Sequence, residues 1–416
     1  MSEERLSGVD VLLAAFRFHP VYAGPAIRFK RYAPGLRDRG IDLGVFSAHL
    51  EDDDTVGSGS WSDGDLLDVD SVDGIPVQRV HVTDAGPKRQ LVRYYRSLAR
   101  HLEASAPRPD VVQLLTLTPW ASPWYRNIRR MGLPLVYTST MMPTPGLAWY
   151  KRRFDRIPLR WLDCVVVSTG VMRDAIGTPG ARVRVEVIPN GLDLDRFRPP
   201  ESADERRVER RRLGLDPAAE LVLFLGGVLN HRKGVDVLAE AWGRIAEARP
   251  AARLVLVGPH ADELRPAGPQ AAFLDRVRRD LSSAPGGLER VVFTGPVDNV
   301  QDYLRAADVF VFPSRKEGMP NAVPEAFGCG LASVMTPFEG LPQEFGRPGR
   351  EYVLSPRTPE DLSGSVVALL ESPERRGELG ASARAWVEAN LGVDRSLDRY
   401  ADLYRELTER AQARSR

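Results

Sequence analysis

Asp308-Val-Phe-Val-Phe312, followed by Ser314-Arg-Lys-Glu-Gly-Met-Pro-Asn-Ala-Val-Pro-Glu-Ala-Phe-Gly-Cys-Gly330, is the segment that decides the fold. An apolar run without alternation reads as a strand buried on both faces, the usual state of a strand in a parallel sheet. The Gly and Pro residues after it force a loop, and a helix is expected from near Asn321. In an open parallel α/β sheet, ligands bind beyond the carboxyl ends of strands, where a helix N-terminus offers free N–H groups to phosphate. The loop has the location and the dipole for a diphosphate. Glu317 and Glu325 flank it, and carboxylates accept hydrogen bonds from vicinal hydroxyls, so the pair could hold a hexose and a ribose of one donor. Taken alone, two glutamates at this spacing are ordinary surface residues.

The same strand-then-helix pattern recurs along the chain. In the first half the strands are read at Val9–Phe16, Ile41–Ser47, Pro76–Val82, Asp110–Leu114, Pro134–Thr138, Asp163–Ser168 and Val183–Ile188. In the second they are Glu220–Leu225, Arg253–Val257, Arg290–Phe293, Asp308–Phe312 and Ala332–Met335. Two series imply two Rossmann-like, doubly wound domains facing across a cleft, which suits 416 residues. Phe197-Arg-Pro-Pro-Glu-Ser-Ala-Asp204 interrupts the pattern and reads as the connection, giving domains over 1–199 and 200–394. After Pro373 the chain reads as wholly helical, and the last helix, within 395–416, is expected to return to the first domain.

Composition excludes several classes. A formal net charge of +1 argues against a nucleic-acid partner, which would call for a strongly basic face. Cys164 and Cys329 lie far apart in apolar segments, so neither a disulfide framework nor paired zinc ligands are expected, and the protein reads as cytoplasmic. Val9–Phe16 is too short to span a bilayer, and no other run approaches the required length. The acidic stretch 51–74, with Asp68, Asp70 and Asp73, reads as a solvated loop, because Val72 and Arg79 fall where a calcium loop needs ligands. Asp193 and Asp195 form an Asp-x-Asp pair without a second acidic cluster, so a structural role and no metal are expected.

A second charged cluster is Phe224-Leu-Gly-Gly-Val-Leu-Asn-His-Arg-Lys-Gly-Val-Asp-Val-Leu238, a strand end leading to a helix from near Gly234. Arg232 and Lys233 stand where the helix dipole is already positive, a conflict that an anionic ligand would remove; an exposed basic turn is the bland alternative. In His19-Pro-Val-Tyr-Ala-Gly-Pro-Ala-Ile-Arg28, Gly24 permits close backbone approach before a helix from Pro25. A plain strand-to-helix turn and a ligand loop weigh equally there.

Together with Val187-Ile-Pro-Asn-Gly-Leu-Asp-Leu-Asp-Arg-Phe-Arg-Pro199, Leu254-Val-Leu-Val-Gly258 and Val292-Phe-Thr-Gly-Pro-Val297, these segments resemble retaining glycosyltransferase family 4, of GT-B architecture, over nearly the whole chain. The resemblance implies a nucleotide-sugar bound mainly by the second domain, with no metal or other cofactor. It also implies a front-face reaction in which the leaving diphosphate oxygen takes the acceptor's proton. By motif position, Lys233 and Arg232 would meet the donor diphosphate. Glu317 would face the transferred sugar, whose hydroxyls the backbone of Gly318, Met319 and Pro320 would read. Asn321 and Ala322 would give N–H groups to the β-phosphate, Glu325 would hold the ribose, and Gly24 would add a donor contact from the first domain. Three positions depart from the family pattern: Gly227 stands where many members have Arg, and Gln113 and Thr140 stand where many have His.

The expected function is transfer of a hexose or amino sugar from a nucleoside diphosphate to a hydroxyl of a sugar, cyclitol or other small acceptor. The alternatives are an epimerase or phosphorylase of the same fold, and a non-catalytic sugar-nucleotide-binding protein. Basic residues interleave with aromatics in Pro87–Arg100, Trp124–Arg130 and Trp149–Phe154. That pattern suits either peripheral contact with an anionic bilayer or, as the favoured reading, solvated helix faces with snorkelling arginines.

Overall fold

In β12 of the second sheet (Val309–Phe312), Val309 and Val311 pack into one apolar cluster while Phe310 and Phe312 pack into another. A strand with a core on each side has no polar face, and that is why the run shows no alternation. The computed structural model describes residues 8–19, 24–50, 61–83, 86–139, 156–176, 183–226, 229–258, 271–342 and 345–415. The chain divides into two compact units, Met1–Asn190 with Asp394–Arg416, and Gly191–Val393.

The first unit carries β1 (Val9–Ala15), β2 (Ile41–His49), β3 (Asp70–Val72), β4 (Ile75–His81), β5 (Val111–Leu114), β6 (Leu135–Ser139), β7 (Cys164–Val167) and β8 (Arg184–Val187). They form one sheet in the order β3-β4-β2-β1-β5-β6-β7-β8. All neighbours are parallel except β3 with β4, and β1 sits centrally with Val11 opposite Leu43 and Val111. Helices α1 (Gly24–Arg37), α2 (Pro87–Ala104), α3 (Ser122–Arg130) and α4 (Gly170–Ile176) intervene between strands. In the core, Tyr95 of α2 meets its neighbour Tyr94 and Tyr125 of α3 edge to face, with ring centroids 5.0 Å apart in both contacts.

The second unit is an all-parallel sheet, β11-β10-β9-β12-β13-β14. Its strands are β9 (Glu220–Leu225), β10 (Ala252–Val257), β11 (Val291–Phe293), β12, β13 (Ser333–Met335) and β14 (Val353–Leu354). Its helices are α5 (Ala203–Arg212), α6 (Val235–Ala248), α7 (Ala271–Ser283), α8 (Val300–Ala306), α9 (Ala322–Gly328), α10 (Pro359–Glu371) and α11 (Pro373–Leu391). Leu192 and Phe197 are buried in this unit's core, so the chain enters it at Gly191 rather than at the paired prolines.

Every strand expected from sequence is present, and two more are added: β3 and the two-residue β14. The loop reading of 51–74 is corrected where it is described, since Asp70-Ser71-Val72 pairs antiparallel with β4. Asp73 and Gly74 both have positive φ, 52° and 77°, which is the two-residue turn that matches the twist of a hairpin. Residues 51–60 lie outside the described residues.

The final helix, α12 (Val393–Ser415), belongs to the first unit. Its Tyr400 ring meets Phe29 at 5.3 Å, and its Tyr404 hydroxyl donates to Gln113 Oε1 at 3.0 Å. Gln113 is fully buried, and its Nε2 donates to Thr138 Oγ1 at 3.0 Å. Arg184 of β8 adds an ion pair to Glu406 at 2.7 Å. Tyr404→Phe removes the only hydroxyl in its side chain and strands Gln113 Oε1 in the core, a loss of about 1–3 kcal/mol. A lowered denaturant midpoint is the expected result; an unchanged midpoint would show that α12 is held without this bond.

Candidate functional site

Two turns meet at the carboxyl ends of the adjacent strands β9 and β12. After β9, His231–Lys233 forms a single 3₁₀ turn whose start is capped by Asn230, its side-chain oxygen accepting from the Lys233 N–H at 3.0 Å. Gly234 follows in the left-handed region, φ 71°, and opens α6. A Cβ added to Gly234 would sit 2.7 Å from the Pro313 carbonyl carbon and collide with its oxygen. Glycine is therefore required twice, by conformation and by the closeness of the chain leaving β12.

That second chain is locked to the first. The Arg315 N–H donates to the Arg232 carbonyl at 2.8 Å, and the Arg315 guanidinium grips both oxygens of Asp236 at 2.8 Å each. Burial works to raise the Asp236 carboxyl, but the Arg315 guanidinium outweighs it and holds the group below the ordinary carboxylate range. On the other side, the Glu317 N–H donates to the Glu339 carbonyl at 3.0 Å, and Lys316 pairs with the Glu339 carboxylate at 3.0 Å. The Ser314 carbonyl accepts from Thr336 Oγ1 at 3.3 Å and Arg357 Nη2 at 3.1 Å.

Held in this way, Glu317 presents one oxygen, Oε1, to three donors: Arg232 Nη1, Lys233 Nζ and Ser314 Oγ, each at 2.9 Å. The Glu317 side chain is only 10% exposed, Lys233 16% and Arg232 41%. The anion that the two cations call for at the positive end of α6 is, in this structure, Glu317 itself. Gly318 and Pro320 are buried, Met319 packs on the unit's core, and Asn321 precedes α9, whose first turn carries Ala322 and the half-buried Glu325. Arg232, Lys233 and Glu317 are thus in contact, with Gly318 to Ala322 and Glu325 on the adjoining turn and helix.

Residues 219–372 match the family described as Glycosyl transferases group 1, and residues 23–191 match the Glycosyl transferase 4-like domain. D-inositol 3-phosphate glycosyltransferase of Thermomonospora curvata is 34% identical over 300 residues, covering 66% of this chain and 67% of that one. This chain is a family 4 glycosyltransferase. Lipopolysaccharide core biosynthesis mannosyltransferase LpsB of Rhizobium meliloti is 28% identical over 285 residues, 68% of this chain and 75% of LpsB. With other curated relatives the match spans about half of their length. Among solved structures, sucrose-phosphate synthase from Thermosynechococcus elongatus superposes with a TM-score of 0.74 at 20% identity, covering 96% of this chain and 99% of that one. The fold is GT-B.

In this glycosyltransferase, Gln113 does not line a ligand wall, because its amide is spent inside the sheet and on Tyr404. Thr140, Gly227 and Trp149–Phe154 lie outside the described residues. Gly24 opens α1 of the first unit, where an added Cβ would meet nothing within 4 Å. Asp193 Oδ1 accepts from the N–H groups of Asp195 (3.1 Å) and Arg196 (2.9 Å), an Asx turn that gives the Asp-x-Asp pair a structural use. Burial pushes both thiols, Cys164 and Cys329, up to about 12. Lys88 stands 5.8 Å from the Trp120 ring centroid and Arg126 5.7 Å from that of Trp161. No described helix is long and apolar enough to cross a membrane.

Sequence reading missed Ser314, Asp236, Arg315 and Arg357. A hydroxyl three residues before Glu317 was a usable signal, whereas the Asp236–Arg315 pair joins residues 79 positions apart. Gly234→Ala tests the junction: left-handed strain alone costs about 1–3 kcal/mol, and the Pro313 collision adds to it. A lower melting temperature with loss of activity is expected; a stable and active variant would mean that the two turns can separate without consequence.

Proposed function

We propose that this chain is a retaining glycosyltransferase. It moves a hexose or amino sugar from a nucleoside diphosphate to a hydroxyl of a sugar, cyclitol or other small acceptor, using neither metal nor cofactor. The observation that carries this reading is the convergence of Arg232, Lys233 and Ser314 on one point beside the ends of β9 and β12. Fixed donors placed where charge develops stabilise a transition state more than a ground state. A diphosphate gains negative charge as its glycosidic bond breaks, so the cations act on the leaving group, whose oxygen takes the acceptor's proton from the same face. Glu317 then serves the sugar hydroxyls and Glu325 the ribose. N–H groups at Asn321 and Ala322 meet the β-phosphate, the backbone of Gly318 to Pro320 reads the sugar, and Gly24 offers backbone approach in the first unit. The names of the relatives support the acceptor class, since they describe a mannosyltransferase of lipopolysaccharide core and a glycosyltransferase of D-inositol 3-phosphate.

Lys233→Ala should lower turnover by about 100-fold or more, the scale of losing one preorganised stabiliser, with a smaller loss of donor affinity. Arg232→Ala should also be severe. Glu325→Ala should weaken nucleotide binding by about tenfold or more, whereas Glu317→Ala should act chiefly on turnover. Steady-state kinetics with a verified donor and acceptor decide the matter: near-normal turnover in both cation variants would refute the leaving-group role.

Activity is expected to persist in excess chelator, because the side-chain cations and helix N–H groups neutralise the diphosphate. Complete loss on chelation, restored by manganese or magnesium, would count against this chemistry.

A further inference from the structure

We propose that Glu317 is an internal anion that exchanges with the diphosphate, holding the cation pair when the site is empty and driving the product off when the sugar has left. The inference rests on the preceding functional reading and concerns regulation of the same site. Its basis is that one carboxylate oxygen occupies the single point reached by Arg232 Nη1, Lys233 Nζ and Ser314 Oγ. A phosphate oxygen making those contacts must take that point, and two anionic oxygens cannot share it without strong repulsion.

The geometry allows exchange without moving the main chain. The Glu317 N–H is bonded to the Glu339 carbonyl, and the Arg315 carbonyl accepts from the Glu339 N–H at 2.8 Å, so the backbone on either side of Lys316 is pinned. Only the Glu317 side chain has to rotate. Arg232, the most exposed of the three side chains, gives the incoming anion its first contact. Released from the cations, the carboxylate is available to sugar hydroxyls, so a complete donor compensates for the broken ion pairs. A bare nucleoside diphosphate does not. Once the sugar is transferred, Glu317 loses its hydroxyl partners and competes again for Arg232 and Lys233, which weakens the hold on the product.

Inorganic pyrophosphate is the probe, because it carries the diphosphate charge without nucleotide or sugar. Calorimetric titration at fixed ionic strength should show Glu317→Gln binding it about tenfold or more tighter than the parent protein, the scale of one charge-assisted hydrogen bond. Glutamine keeps the length of the side chain and the acceptor for Ser314, and Glu317→Ala should move affinity in the same direction. Turnover should fall in both. Equal or weaker pyrophosphate binding in both variants overturns the exchange, as does a lack of binding by every protein tested. Lys233→Ala separates the two levels. If it binds pyrophosphate as the parent does, the cation pair is not the diphosphate site and the functional reading fails. If Lys233→Ala loses binding while the Glu317 variants gain none, only the exchange fails.

Discussion

The contact between Gly234 and the Pro313 carbonyl sets how close the turn after β9 comes to the turn after β12. Any side chain at Gly234 would push the turns apart, and the reach of Arg232 and Lys233 to Glu317 would be lost with the closeness. The Arg315 N–H bond to Arg232 and the bidentate Asp236 grip repeat the same constraint with polar groups. A backbone approach that tight has no adjustable length, so the distances at Glu317 are inherited from it. In a site whose proposed work is electrostatic, such fixity matters because preorganised charges need no rearrangement at the moment of reaction.

Charge is distributed unevenly around that junction. Arg315 is answered by Asp236 and Lys316 by Glu339, one acid to each base. Arg232 and Lys233 share a single acid, Glu317. Positive charge therefore exceeds negative at the two residues proposed to meet the diphosphate, while Arg315 and Lys316 are neutralised in holding the loops. A net charge of +1 over the whole chain conceals this local surplus.

The central strands were legible because both faces of each sheet are apolar, so a run such as Val309–Phe312 has a single reading. The helix-opening turns were legible through their Gly and Pro residues. β3 was hidden because its Asp-rich surroundings suggested solvent, although Asp73-Gly74 is a hairpin signal in its own right. At the site, Arg232, Lys233, Glu317 and Glu325 stood out as charges beside loops. Their supports did not, since Asp236, Thr336 and Arg357 act on residues brought near only by adjacent strands. Gln113 shows the opposite limit: its position in a strand could be read, but its partner Tyr404 lies 291 positions away.

The placement of α12 bears on the order in which the protein is made. The second unit is one continuous stretch, Gly191–Val393, and can close its core while later residues are still within the ribosome. The first unit is translated earlier but cannot be completed, because Tyr400 and Tyr404 are supplied by its final segment. Until then Phe29 and the amide of Gln113 lack the ring and the hydroxyl that cover them. Domains usually fold in the order of synthesis; here the earlier unit finishes last, its eight strands already made but its core still open where Tyr400 and Tyr404 will pack.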